Sequence, residues 1–245
     1  MLANRFFELL RPLIDEIERT QLDAIDRAAE MIVASVTNGG CVHLYDTGHV
    51  LEREAVGRAG GLFMITPLSL QANVNNPARP RPGPAPSPSE AEIAGWVSYA
   101  LTTSKVRAGD VLIVGSVSGR RPLPMEVAIQ ARRRGAKVIA LTSLTYSNAA
   151  PVEHSSGKRL HDVADLVIDN VGVVGDALVE VPELEHRICP GSGITAAVII
   201  WALTAQVVER LMARGLKPSV WTSVNLPSAA DVNNRMRREY EAKGY

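Results

Sequence analysis

Apolar residues recur along residues 2–36 at the three-and-four spacing of one helix face: Phe6, Leu9, Leu10, Leu13, Ile14 and Ile17, then Ile25, Ala28, Ala29 and Ile32. The run stops at Asn38-Gly39-Gly40, so the segment predicts one or two helices ahead of whatever follows. The pattern then changes to short continuous apolar runs, at Cys41–Tyr45, Leu62–Thr66, Val111–Gly115, Val138–Thr142 and Leu166–Ile168, separated by helical stretches. Apolar strands alternating with helices predict an α/β fold whose parallel sheet is covered on both faces. The helix after the third run is the clearest of these. Pro124 to Ala131 leads into Arg132-Arg133-Arg134-Gly135, basic residues and a glycine at a C-terminus, which makes the arginine run a solvated helix end.

After the fifth run, Gly191-Ser192-Gly193 introduces an almost wholly apolar helix over Ile194–Met212, closed by Arg214-Gly215 and Pro218. Hydrophobicity on all sides implies burial, in the core or against a second subunit. Six prolines between Asn73 and Ser89 exclude regular structure and predict an extended insertion or flap over 73–89. Residues 225–245 turn polar and end in a charged helix, either a cap or an arm.

Composition narrows the class. A chain of 245 residues with 46% hydrophobic residues can bury one substantial core, so a single domain over 1–245 is expected. The formal charge is zero, which removes the basic face that nucleic acid requires. Cys41 and Cys189 show no metal or redox spacing, and no carboxylate and histidine cluster has ligand spacing either, so neither a metal site nor a cofactor is expected. Charged residues interrupt the N-terminal apolar positions, and no apolar stretch is expected to span a membrane. A reduced cytoplasmic setting, with no membrane partner, follows from these readings.

Candidate chemistry collects where strands end. Ser116-Val117-Ser118-Gly119 follows the third run directly, a composition that lets backbone N–H groups and two hydroxyls converge on an anion at the start of a helix. The same residues also serve simply to turn a strand into a helix. Asp46-Thr47-Gly48-His49-Val50 and Thr142-Ser143-Leu144-Thr145-Tyr146-Ser147 end two other strands, and in an open parallel sheet ligands gather outside such ends. A nicotinamide dehydrogenase shares the alternation, but the first loop lacks the glycine spacing that admits a pyrophosphate.

Together these loops resemble those of the sugar isomerase (SIS) domain family of phosphosugar-binding proteins. Gly48-His49, Glu54 to Leu62 with its Arg58-Ala59-Gly60-Gly61-Leu62, Gly109 to Ile113, Ser116 to Pro122, His154 to Leu160, and Asp165 to Ala177 are similar to its UPF0309 subfamily. The similarity covers nearly the whole chain outside the proline-rich insertion. It implies a three-layer α/β/α sandwich with a five-stranded parallel, flavodoxin-like sheet and an N-terminal helical extension. It also implies a phosphorylated sugar as ligand, and a homodimer or higher homo-oligomer. The chain departs from the family pattern at Asp46 and Val50, where a glycine and a serine are common, and at Arg121, where threonine is frequent. Arg121 either offers phosphate a charge-assisted bond or stands exposed.

By the same resemblance Glu54 is the candidate base of an aldose–ketose isomerisation; His49 and His154, loop histidines able to exchange a proton near neutral pH, are the candidate proton carriers. A surface salt bridge from Glu54 to Arg53 or Arg58 is the competing reading. Glu52 lies about 200° around the same helix from Glu54, so only one of the two should face the site. Thr47, Gly48, Ser116, Ser118, Gly119, Arg121, Ser143 and Ser155 are the candidate phosphate and sugar contacts. Asp176 either caps a helix or binds a sugar hydroxyl. An amino-sugar phosphate lyase or etherase, or a non-catalytic phosphosugar sensor, would use the same loops.

Overall fold

In the computed structural model the described residues are 1–47, 51–75, 77, 79, 82–83 and 86–245. The N-terminal periodicity forms one helix, α1 (Leu2–Thr37), whose buried stripe runs from Ile17 through Ile25, Ala28, Ala29 and Ile32 to Val36. Five strands follow the apolar runs: β1 (Val42–Asp46), β2 (Ile65–Pro67), β3 (Val111–Gly115), β4 (Lys137–Thr142) and β5 (Leu166–Asp169). They pair in parallel in the order β2-β1-β3-β4-β5, the flavodoxin-like order in which strand sequence reverses between β1 and β3. β2 starts later than its apolar run, because Leu62 instead bridges antiparallel to Val220.

Alternation along the strands sorts side chains into two cores, one on each face of the sheet. Val42, Leu44, Val111, Ile113, Ile139 and Leu141 pack against α1, the short α2 (Leu51–Ala55) and α7 (Ser192–Ala213). Tyr45, Leu112, Val114, Val138 and Ala140 pack against α3 (Glu90–Thr103), α4 (Pro122–Arg133) and α6 (Leu160–Val163). This is the three-layer sandwich.

α7 has the length and composition of a membrane span, contrary to the expectation that no stretch would reach that length. Its Ile199, Ile200, Leu203, Val207 and Leu211 are buried against α1 and the sheet, which accounts for its hydrophobicity as a core helix. The α1–α7 contact is fixed by ions: Arg210 pairs with Asp26 and Glu30, and Arg214 with Glu30. The bond from Arg210 holds the Asp26 carboxyl below its usual range.

Two features lay outside the sequence pattern. A hairpin of β6 (Ala177–Val179) and β7 (Ile188–Pro190) packs Leu178 and Val179 onto Leu10 and its neighbours near the start of α1. A short helix, α5 (Leu144–Ala149), follows β4. The polar tail forms α8 (Ala229–Lys243) and closes as a cap: Tyr240 and Tyr245 pack on the core, and Asn233 exchanges two hydrogen bonds with the Thr222 backbone. The described residues of the 73–89 insertion form no helix or strand.

Candidate functional site

The reversal in strand order opens a crevice beyond the C-terminal ends of β1 and β3. Asp46 and Gly115 are paired in register, so the residues that follow them, Thr47 and Ser116, emerge side by side. The loop after β3 is held from behind. Val117 O accepts from Ser143 N at 2.9 Å and from Thr142 Oγ1 at 3.0 Å, and Gly119 O accepts from Leu160 N at 2.8 Å. Gly119 turns this loop at φ +56°, where an added Cβ would stand 3.0 Å from Thr142 Oγ1 and 3.1 Å from Leu160 Cβ. The backbone conformation and the available space both favour glycine there.

Thr47, Ser116, Val117, Ser118, Arg121, Tyr146 and Asp176 enclose a cavity of about 320 Å3. A second cavity of about 350 Å3 adjoins it, sharing Thr47 and Arg121 and bounded further by Tyr45, Asp46, Glu52 and Leu68 to Leu70. Arg121 is the N-cap residue of α4, with proline following in the first turn, so a fixed positive charge stands beside the positive end of that helix. Asp176 opposes it. Its carboxylate accepts from Ser192 N at 2.9 Å and Ser192 Oγ at 2.8 Å, capping α7 while lining the cavity. Burial and the neighbouring Asp46 charge push the Tyr45 phenol up to about 12. The arrangement suits a ligand with an anionic end and several hydroxyls.

Four of the sequence candidates, Thr47, Ser116, Ser118 and Arg121, therefore share one cavity wall. Gly48 and His49, with Val50, lie outside the described residues. The other candidates have structural partners. Ser143 is fully buried, donates to Gly172 O at 2.6 Å and caps α5 by accepting from Tyr146 N at 3.0 Å. Ser155 bonds the Glu90 carboxylate through both its N–H and its hydroxyl, which holds that carboxyl below its usual range.

Glu54 stands off the cavity walls. Its Oε1 accepts from Trp201 Nε1 on α7 at 3.1 Å, and its Oε2 lies 3.3 Å from Arg58 Nη1. Glu52 is the α2 carboxylate on the wall of the second cavity. Tyr146 and Glu52 were not assigned as contacts from sequence. Tyr146 lies within a loop that sequence does single out, whereas the side Glu52 faces depends on how α2 docks against α7.

His154 also lies away from both cavity linings. Its Nε2 is 3.1 Å from Glu126 Oε1 and 3.5 Å from Glu90 Oε1. The fold thus assembles a carboxylate and histidine cluster where linear spacing indicated none, because its members come from α3, α4 and the loop after α5.

Comparison with known proteins gives the same fold. A family model described as "SIS domain" matches residues 5–143. The chain is 33% identical to the UPF0309 protein lin2794 of Listeria innocua, over 99% of this chain and 97% of that protein. It is 34% identical to a UPF0309 protein of Streptomyces griseus, over 98% and 95%. Among solved structures, the phosphoheptose isomerase GmhA of Neisseria gonorrhoeae superposes with a TM-score of 0.53 at 18% identity, covering 84% of this chain and 95% of that one. A phosphoheptose isomerase of Francisella tularensis gives 0.54 at 17%, with the same coverage.

Proposed function

The chain belongs to the SIS-domain family and within it to the UPF0309 proteins, and on that premise we propose that it binds a phosphorylated sugar at the β1–β3 crevice and interconverts its aldose and ketose forms. One observation carries the reading: Thr47, Ser116, Ser118 and Arg121 converge on a single cavity. The phosphate takes the hydroxyls and the guanidinium, and the adjoining cavity takes the polyol. Two relatives in fold are named as phosphoheptose isomerases, and that activity requires proton transfer α to a carbonyl. A phosphorylated substrate, which membranes retain, goes with a cytoplasmic location. A homodimer goes with the partly exposed Ile194 and the exposed Met212 of α7, and light scattering reads it directly.

Two carboxylates on α2 compete for the base. The family resemblance assigns the role to Glu54, whereas the cavity wall offers Glu52; with either, His49 or His154 is the proposed proton carrier. The engagement of Glu54 by Trp201 and Arg58 favours a second reading, a phosphosugar sensor without turnover.

A thermal-shift panel of pentose, hexose, heptose and amino-sugar phosphates, each beside its unphosphorylated parent, tests binding. Stabilisation by a phosphosugar and not its parent supports the reading, and no shift with any of them overturns it. Solvent deuterium incorporation at the α carbon then separates enzyme from sensor. Its loss in Glu52→Gln or in Glu54→Gln identifies the base.

A further inference from the structure

Independently of the phosphosugar reading, we propose that Glu90, Glu126 and His154 form a binding site for one divalent transition-metal ion, best suited to zinc. Glu90 is the first residue of α3, Glu126 lies in the second turn of α4, and His154 follows α5; three segments far apart in sequence direct one ligand atom each to a common point. The three atoms lie within 4.8 Å of one another, and His154 Nε2 stands 3.1 and 3.5 Å from the two carboxylate oxygens. With metal–ligand bonds of about 2.0–2.2 Å, the edge of a tetrahedron is about 3.3–3.6 Å. Two of the three spacings already meet that geometry to within a few tenths of an ångström.

The charge balance points the same way. Glu126 and His154 are both buried, and neither Glu90 nor Glu126 pairs with a lysine or arginine among the described residues. Two carboxylates therefore face one imidazole nitrogen, which carries at most one proton. A divalent cation neutralises both.

Each ligand is also oriented by a second group. Gln130 Nε2 donates to Glu126 Oε2 at 3.1 Å, Ser155 N donates to Glu90 Oε2 at 2.8 Å, and Ser156 Oγ lies 2.7 Å from His154 Nδ1. Such outer partners fix ligand rotamers and the imidazole tautomer at metal sites. In the metal-free chain the Ser156 N–H, 3.2 Å from Nδ1, makes that nitrogen an acceptor, and the Nε2 proton goes to Glu126. Metal binding moves this proton to Nδ1, where it is donated to Ser156 Oγ, 2.7 Å away; the Ser156 N–H is released from that nitrogen, and the Nε2 lone pair is freed for the ion. Protons balance without any co-reactant. One nitrogen and two oxygens suit zinc above calcium or magnesium, and the partly exposed Glu90 leaves a solvent-facing fourth position.

The test is isothermal titration of the chelator-treated full chain with zinc alone. The expected result is one ion per chain, with affinity about 10–100-fold weaker in Ser156→Ala and weaker still in Glu126→Gln. His186→Ala, at an exposed histidine, leaves binding unchanged. Glu90 is only partly buried, so Glu90→Gln provides a ligand variant that folds even if Glu126→Gln does not; it too must weaken binding. Absence of zinc binding, or binding undiminished in Glu90→Gln, overturns the proposal and leaves a proton-bridged clasp joining α3, α4 and the loop after α5.

Discussion

Gly119→Ala tests whether the loop after β3 is held as tightly as its geometry requires. Two costs are separable. At φ +56° an alanine pays about 1–2 kcal/mol for the left-handed backbone conformation. Its Cβ would also stand 3.0 Å from Thr142 Oγ1 and 3.1 Å from Leu160 Cβ, and neither neighbour can yield freely. Both are fully buried, and Thr142 Oγ1 is committed to Val117 O. Overpacking of this kind costs about 1–3 kcal/mol, so the substitution should remove about 2–5 kcal/mol in all. Gly215→Ala, at φ +71° with nothing within 4 Å of the new Cβ, supplies the control that pays the backbone cost alone. Urea unfolding with an unchanged m-value reads both variants, and in a chain of this size each kcal/mol lowers the thermal midpoint by about 2–4 °C. Because any relief of the contact displaces Ser118, the stabilisation given by a phosphosugar should shrink in Gly119→Ala and persist in Gly215→Ala. Equal destabilisation by the two substitutions would refute the argument.

Other consequences can be read separately. Arg121→Ala should weaken phosphosugar binding about 10–150-fold, the equivalent of one charge-assisted hydrogen bond of about 1.5–3 kcal/mol, with little change in stability; an unchanged midpoint shift would place the anion elsewhere. Asp176→Asn keeps an acceptor for Ser192 N but removes a negative charge from the cavity, so anion affinity should rise severalfold, as a direct titration would show. Asp110 is fully buried and accepts from Cys41 N, Arg107 N and His43 Nε2, so Asp110→Ala should cost about 3–5 kcal/mol in urea unfolding. The folded chain holds the Tyr45 phenolic proton up to about pH 12 rather than 10, so this contribution is complete below pH 10 and fades as pH rises from 10 to 12. Tyr45→Phe should flatten that part of the alkaline stability profile.

The sheet was legible because strands buried on both faces leave continuous apolar runs, and those runs predict all five strands with only β2 displaced. The displacement has a tertiary cause: Leu62 bridges to Val220, far along the chain, and no local pattern encodes that pairing. The β6–β7 hairpin escaped for a similar reason. Its strands are three residues each, and their apolar side chains find their partner in Leu10, on the opening turns of α1.

The site divides along the same line. Thr47 and Ser116 follow strand ends directly, and Ser118 and Arg121 lie in the loop that runs on from Ser116 to the start of α4, so once the strand order reverses between β1 and β3 their convergence is a consequence of topology. Ser143 ends a strand too, but its hydroxyl is taken by the cap of α5 and by Gly172, a use that strand position alone does not reveal. α2 spans only five residues, too few to encode its own rotation about the helix axis; Trp201 on α7 accomplishes this by donating to Glu54. With Leu51 and Ala55 buried in the core and Glu54 held by Trp201, Glu52 is left facing the second cavity. Under the proposed isomerase reading, the choice of base between Glu52 and Glu54 therefore depends on the α2–α7 packing, and Trp201→Phe, which removes the donor and keeps an aromatic ring, should alter the relative effects of Glu52→Gln and Glu54→Gln on deuterium exchange. Unaltered effects in the Trp201→Phe background would show that the orientation of α2 has another origin.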